Sequence, residues 1–461
     1  MAGIAGITRA HQPELVQTML GRLRHRGPAG EIVVEAPAAT LGVVWQAGQV
    51  RPLRRGRNAL AVWDGRFNGR IDRLAHDGRL ALALADDHGT LLARDAVGVA
   101  PLYFGEAGDA LVFASEAKAL LGIVETVREF PPGHRWDRTL GWKKFFDLGA
   151  ARVRRRTPAP DLALELKRRL ELAVRDVAQG EEIGAWLSGG LDSSALAALA
   201  RPWAKRLHTF AGGLPGAPDL AFAREAAAFI GSEHHEVVVS PSELPELLPA
   251  VIHHLESFDA LLVRSSIMNY RVAERAAQYV GAVFSGEGGD ELFAGYHYLK
   301  TLEGAELARE LVDITGRLHN TALQRVDRSA AAHGTVAHTS FLHPRVLSYA
   351  LAIPTEWKLH RGVEKWILRQ ALVGTLPPDV LDRPKAKFWE GAGVGERLAG
   401  YAEARVSDAD FRRERELPNG WRLNSKEELL YYRLFREQFG DLSDLEWMGR
   451  TKGVVPDAAP V

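Results

Sequence analysis

The chain has 461 residues, 46% of them hydrophobic and 25% charged, the composition of a globular protein too long for one ordinary core and therefore expected to have two domains. Its 58 Lys and Arg balance 58 Asp and Glu, which leaves no global field to draw it to nucleic acid or an anionic membrane. There is no cysteine, which excludes disulfides, thiolate metal sites and a thiol nucleophile.

The opening residues, MAGIAGITRAHQPEL, place no long apolar core behind a basic segment, and no stretch approaches about 18 consecutive apolar residues. Neither a signal peptide nor a membrane span is expected, so a cytoplasmic location is the default. Residues 1–147 read as short strands punctuated by glycine, with β-favouring runs at 80–84, 90–93 and 110–114. One helix is expected over 13–24, ending before the turn residues His25-Arg26-Gly27-Pro28. These features place a β-rich layered domain at 1–148 and a basic, proline-bearing linker at 149–160. Beyond residue 161 the pattern alternates: a helix over 162–177, a buried strand at 183–187, an alanine- and leucine-rich helix at 195–200, then strands at 207–211, 236–239 and 282–284 separated by helical pattern. Such alternation predicts an α/β domain with a doubly wound parallel sheet. Residues 302–439 read as mainly helical, the second domain runs over 161–446, and the tail 447–461 is expected to be loose.

The segment Ser188-Gly189-Gly190-Leu191-Asp192-Ser193-Ser194 follows the strand at 183–187. Its glycines let the backbone close around an anion, and Ser193 and Ser194 open a helix whose free N–H groups favour phosphate. It carries no lysine, so it is not the nucleotide loop that places Lys before Ser or Thr. Charge neutralisation must come from elsewhere, and Asp192 is placed to hold Mg²⁺ on the phosphates. An ordinary strand-to-helix turn is the alternative. A second glycine loop, Ser285-Gly286-Glu287-Gly288-Gly289-Asp290-Glu291, again follows a strand. Glu287, Asp290 and Glu291 crowd three carboxylates into five residues, which implies a nearby cation and makes Asp290 the second Mg²⁺ ligand. In Arg383-Pro384-Lys385-Ala386-Lys387, a lysine on a proline-fixed turn can reach developing negative charge; a surface lysine is the plainer reading of Lys385 taken alone.

Together these segments resemble the asparagine synthetase B family, whose relatives include β-lactam and carbapenam synthetases. The resemblance extends to Gly3-Ile4-Ala5-Gly6-Ile7, His25-Arg26-Gly27-Pro28, Ala93-Arg94-Asp95, Gly213-Leu214-Pro215-Gly216 and Lys365-Trp366-Ile367-Leu368-Arg369. It implies an N-terminal Ntn-hydrolase-like αββα sandwich of the glutaminase type joined to a PP-loop, adenine-nucleotide α-hydrolase-like synthetase domain. Such enzymes convert ATP and a carboxylate to acyl-AMP and pyrophosphate, after which ammonia or an amine attacks. By position, the resemblance implies that Leu187, Gly212, Ser285 and Gly286 line adenine and ribose. It implies likewise that Ser188, Gly189, Gly190, Asp192, Ser193 and Ser194 hold pyrophosphate, that Asp192 and Asp290 hold Mg²⁺, and that Glu287 and Lys385 act on the reacting groups. Lactam-forming relatives resemble a tyrosine where this chain has Glu287, so an external amine is expected rather than ring closure.

The chain departs from the family in two places. Glutaminase members present a cysteine after Met removal, and here that position is Ala2, which has no nucleophilic atom. Their asparagine–glycine–glutamate turn is replaced near Asp64-Gly65-Arg66, so the first domain reads as a structural remnant without glutaminase activity. The second departure puts His338 where the family carries an arginine, which brings aspartate as acceptor into question. Arg264 is a candidate carboxylate clamp, with a structural ion pair as the other reading. His234 and His235 are read as structural in preference to metal ligands, since no supporting ligand spacing accompanies them. The resulting expectation is an ATP- and Mg²⁺-dependent amide synthetase acting on a small carboxylic acid, aspartate or an analogue, with ammonia or a small amine. An intramolecular amide former and a non-catalytic nucleotide-binding relative are the alternatives. Neither nucleic acid nor membrane is an expected partner, and a homodimer is the assembly considered.

Overall fold

Alternating short runs in the first domain have one face to bury, and they bury it by pairing into two sheets. In the computed structural model, which describes residues 1–48, 51–56, 59–76, 78–154, 156–383 and 392–452, twelve strands form them. These are β1 (Ala2–Ile7), β2 (Gly30–Ala36), β3 (Ala39–Trp45), β4 (Leu53–Arg55), β5 (Ala59–Gly65), β6 (Leu80–Asp86), β7 (Gly89–Arg94), β8 (Tyr103–Ala107), β9 (Ala110–Ala114), β10 (Arg128–Glu129), β11 (His134–Asp137) and β12 (Gly141–Lys144). One six-stranded sheet has the order β10-β8-β9-β1-β3-β2 and the other β12-β11-β7-β6-β5-β4. Ile4, Leu41 and Val43 of the first meet Val62, Ala83 and Leu92 of the second in one apolar cluster, the sandwich interior. Helix α1 (Pro13–Arg22) covers the first sheet with Val16, Met19 and Leu20; it stops two residues short of the expected end because residues 24–26 tighten into a 3₁₀ turn. The second sheet's outer face is covered by Leu74 and Ile71 of the 3₁₀ turn Ile71–His76, so that helical layer is much reduced.

The second domain has a five-stranded parallel sheet of β13 (Glu182–Trp186), β14 (Arg206–Gly213), β15 (Glu233–Val238), β16 (Ala282–Phe284) and β17 (Val336–His338), in the order β15-β14-β13-β16-β17. The strand β17 falls in the stretch read as helical, because three residues are too few to show a period of two. Helices α2 (Ala159–Ala178), α3 (Leu191–Ala200) and α4 (Pro218–Ile230) pack on one face against Ile183, Ala185 and Leu207. On the other face α5 (Leu244–Leu255) and α6 (Ala260–Ala277) pack against Phe210 and Val283. Strand order reverses between β13 and β16, and in open α/β sheets the crevice at such a reversal is where ligands bind. Both glycine loops leave the carboxyl ends of these two strands.

The two domains share buried surface. Ala5, Ile7 and Tyr103 join α5 and α6 side chains in one cluster. The tail drawn from 447 is not loose over its described residues 447–452: Trp447 is 2% exposed with its ring edge-on to Tyr103, and Thr451 N–H donates to Asp259 at 2.9 Å. A single large aromatic anchors a segment whose composition otherwise suggests freedom. No helix among the described residues is long and apolar enough to cross a membrane.

Across the same interface Glu129 of β10 is held at 2.7 Å by both Arg94 Nη1 and His319 Nδ1. Burial alone would raise its pKa, but His319 and then Arg94 outweigh that and bring it from 4.5 to about 2. A depressed folded-state pKa contributes stability that is present above the unfolded value and lost as pH falls through the folded one. The unfolding free energy should therefore drop between pH 4.5 and 2, with a slope in Glu129→Gln shallower by up to one proton; equal slopes in urea titrations would show that Glu129 is not the group responsible.

Candidate active site

At the end of β13 the chain must turn sharply, and Gly189 does so at φ +68°, where a Cβ would meet the Phe222 backbone at 2.4 Å. Helix α3 then starts at Leu191, so Asp192 sits in its first turn, beside amides that have no intrahelical partner. Ser193 Oγ accepts from Ser188 N–H at 3.2 Å and donates to Gly190 C=O at 3.2 Å, which closes the loop on itself. Arg383 ties the loop from outside, donating to Ser188 C=O at 2.9 Å and to Asp219 at 2.6 Å.

The second loop is pinned by Ser285 N–H donating to His338 C=O at 3.0 Å. It comes so close to α3 that a Cβ on Gly289 would lie 2.5 Å from the Asp192 carboxyl carbon. Only a glycine there lets both aspartates face the same point. That point is taken by Lys365: its ammonium lies 2.6 Å from Asp192 Oδ2 and 2.6 Å from Asp290 Oδ1, with the residue 3% exposed. Lys365 is held in the left-handed region at φ +54° and its N–H donates to Phe293 C=O at 3.0 Å. A Cβ on Gly295 would strike both Asp290 and the Lys365 side chain. Two carboxylates converging on one cation are a donor set suited to a hard divalent ion as well as to an ammonium.

Between the loops lies a cavity of about 730 Å³. One end is apolar, walled by Trp186, Leu187, Phe210 and Val272, with Gly212 leaving room because a Cβ there would meet Val272 at 2.5 Å. Ser188, Gly190 and Ser193 line its middle, and Glu287, Asp290, Glu291 and Tyr296 its other end. Glu287 is ion-paired with Arg325. Glu291 is buried beside Asp290 and Glu287; burial first, then those two charges, push its carboxyl up to about 7, and the Tyr296 hydroxyl donates to it.

Of the residues singled out from sequence, Leu187, Ser188, Gly190, Asp192, Ser193, Gly212, Ser285, Gly286, Glu287 and Asp290 line this cavity. Ser194 does not: it is fully buried under the loop and its N–H is spent on Gly190 C=O at 3.1 Å. Gly189 acts on the turn and not on the cavity lining. Neither Arg264 nor His338, the two residues considered for the acceptor, lines the cavity. Arg264 is engaged by Glu427, with Nε at 2.8 Å, and Glu427 also accepts from the Tyr431 hydroxyl at 2.7 Å. His338 lies on β17 toward the first domain, where burial first and then Arg66 and Arg79 push its pKa down to about 3, so it is neutral. Lys385 lies outside the described residues. His234 pairs with Thr209 at 3.0 Å and His235 with His208 at 3.1 Å, and no group of three metal-ligating side chains occurs among the described residues. Lys365, Arg325 and Arg383 are among the cations that line the cavity; Lys365 stands in a segment that carries the family resemblance but is given no role from sequence, and Arg325 is not singled out at all.

The asparagine synthase family model matches residues 165–313 and 301–452, and a glutamine amidotransferase domain model matches 69–122. The chain belongs to the asparagine synthetase family. It is 35% identical over 364 residues to asparagine synthetase [glutamine-hydrolyzing] 2 of Arabidopsis thaliana, covering 73% of this chain and 63% of that one. It is 34% identical over 398 residues to asparagine synthetase B [glutamine-hydrolyzing] of Escherichia coli K12, covering 78% of this chain and 70% of that one. The chain thus spans less than two thirds of the Arabidopsis relative's length. In this chain position 2 is Ala2, within β1, its N–H donating to Asp64 at 3.0 Å, and the sequence contains no thiol.

If the two loops form the nucleotide site of this family member, Gly289→Ala should drive a methyl into Asp192 and weaken Mg-ATP binding by at least about tenfold while the protein stays folded. Equilibrium binding with an unaltered Tm is the check; wild-type affinity in that variant would place the site elsewhere.

Proposed function

We propose that this chain is an ATP-dependent, AMP-forming amide synthetase that activates a small carboxylic acid as an acyl-adenylate and transfers it to free ammonia or a small amine. The observation that carries this reading is the convergence of Asp192 and Asp290 on one buried cation at the mouths of two glycine loops. In the first step a carboxylate oxygen attacks the α-phosphorus, the bond to the bridging oxygen breaks and pyrophosphate leaves. Ser188, Gly190, Ser193 and the amides opening α3 bind that pyrophosphate, while Leu187, Phe210 and Gly212 give adenine an apolar slot. Mg²⁺, held by Asp192 and Asp290, would supply neutralising charge on the phosphates; Lys365 adds a fixed positive charge at the same place.

In the second step the amine nitrogen attacks the acyl carbon, AMP leaves and one proton must depart from nitrogen. Glu287 lines the cavity at that end and is the base we assign, with Arg325 fixing its carboxylate. Lys385 is the further candidate for charge on the departing AMP. The nitrogen source we assign is free ammonia or an amine, because position 2 offers only a methyl group and Asp64-Gly65-Arg66 replaces the turn of the glutamine-using relatives. Aspartate is one acceptor to test among several, since neither Arg264 nor His338 faces the cavity. Glu287, where lactam-forming relatives resemble tyrosine, supports an external amine over ring closure.

The decisive experiment is a panel of carboxylic acids with ammonia or amines, read by pyrophosphate release. At least one acid should give amine-dependent release, with glutamine no better than water as nitrogen donor. Asp192→Asn should abolish ATP–pyrophosphate exchange. Exchange at the wild-type rate in that variant would overturn the reading of the site, and glutamine-driven turnover would overturn the assigned nitrogen source.

A further inference from the structure

The first domain no longer offers a thiol, yet its old centre is filled by charge. Arg26, Arg79, Lys118 and Arg328 alternate there with Asp64, Glu116, Glu256 and Asp327, and every one of these side chains is at most 9% exposed. Arg26 reaches Asp64 at 3.1 Å, Glu116 at 2.7 Å and Asp327 at 2.8 Å; Arg79 reaches Asp64 at 2.5 Å and Asp327 at 2.7 Å; Arg328 reaches Glu256 at 2.9 Å. Ala2 itself is absorbed, its N–H donating to Asp64 and its C=O accepting from Arg26 Nε, each at 3.0 Å. Buried ion pairs of this kind cost much of their attraction in desolvation and are poor sources of stability. What they do supply is geometry, because each charge is satisfied in one arrangement only.

The members on the synthetase side that matter most belong to one helix, α7 (Ala322–Ala332). Asp327 takes two arginines of the first domain, Arg328 closes on Glu256, and Gln324 donates to Leu255 C=O at 2.7 Å. The next functional side chain on that helix, Arg325, points the other way, lines the cavity and is the ion partner of Glu287. Among the described residues Arg325 Nε is buried without a hydrogen-bond partner, so the guanidinium is held by its ion pair with Glu287 and by the placement of the helix. We propose that the first domain serves as a positioning device for amide formation: the Arg26–Asp327–Arg79 bridge sets α7, and α7 sets Arg325 against Glu287. Asp327, Arg26 and Arg79 are positioning residues and touch no substrate. The adenylation machinery hangs on β13, β16 and Lys365 and does not depend on that bridge.

This inference rests on the proposed function, and a split between its two half-reactions tests it. In the full-length chain Asp327→Asn keeps the shape and removes the charge. ATP–pyrophosphate exchange with the accepted carboxylic acid should stay within about twofold of wild type, while amide formation falls in kcat by up to about 100-fold, the scale of an ångström's misplacement. Asp327→Glu should recover part of that loss. If Asp327→Asn does not fold, Arg79→Gln, which leaves Arg26 on Asp327, should show the same split with a smaller loss. Exchange and amide formation falling together, or both remaining unchanged, would overturn the positioning role. A wild-type chain that shows no exchange with any carboxylic acid would instead overturn the assignment of the site, and this inference with it.

Discussion

Two carboxylates held side by side in a buried crevice repel each other unless a positive charge stands between them, and the Asp192–Lys365–Asp290 bridge answers that demand. Much of the local backbone follows from making room for it. Gly289 has no side chain because one would collide with Asp192, and Gly295 has none because one would collide with Asp290 and Lys365. Lys365 accepts a left-handed backbone to bring its ammonium to the point where the two loops meet. The strand-order reversal between β13 and β16 is what lets two loops far apart in sequence open into one crevice.

The first domain keeps its sandwich in a sequence that contains no cysteine. Its two sheets still pack face to face through Ile4, Leu41, Val62 and Leu92, since that apolar interior is independent of any nucleophile. Its polar centre is ionic: Asp64 joins Arg26 and Arg79, and Arg79 reaches across to Asp327. This cluster of balanced buried charge ties the sandwich to α7 of the synthetase domain.

Several features were legible in advance because they are local. The run Ser188 to Ser194 and its counterpart from Ser285 announce themselves by glycine, serine and carboxylate at fixed short spacing after an apolar strand. The strands at 80–86, 110–114, 206–213 and 282–284 lie where period and turn residues put them. Of the two readings of Arg264, the structure shows the ion pair, and His338 also lies away from the cavity. A position along the chain does not say which way a side chain points: Arg264 has Glu427 to satisfy it, and His338 is neutral near Arg66 and Arg79 of the other domain. Over its described residues 447–452 the tail is held, because one buried tryptophan anchors its polar neighbours.

By itself the amino-acid sequence determined what can be written in a few neighbouring residues: two glycine loops on strand ends, the absence of any thiol, and a change of periodicity that divides the chain. Only the tertiary structure decided which distant charges complete those loops. Lys365 and Arg325 reach the crevice through helix packing and strand order, and Asp327 meets Arg26 across a domain interface. Electrostatic partnership acts through space over a few ångströms, whereas periodicity and turn chemistry act along the chain, so the first is invisible to any pattern read from the second.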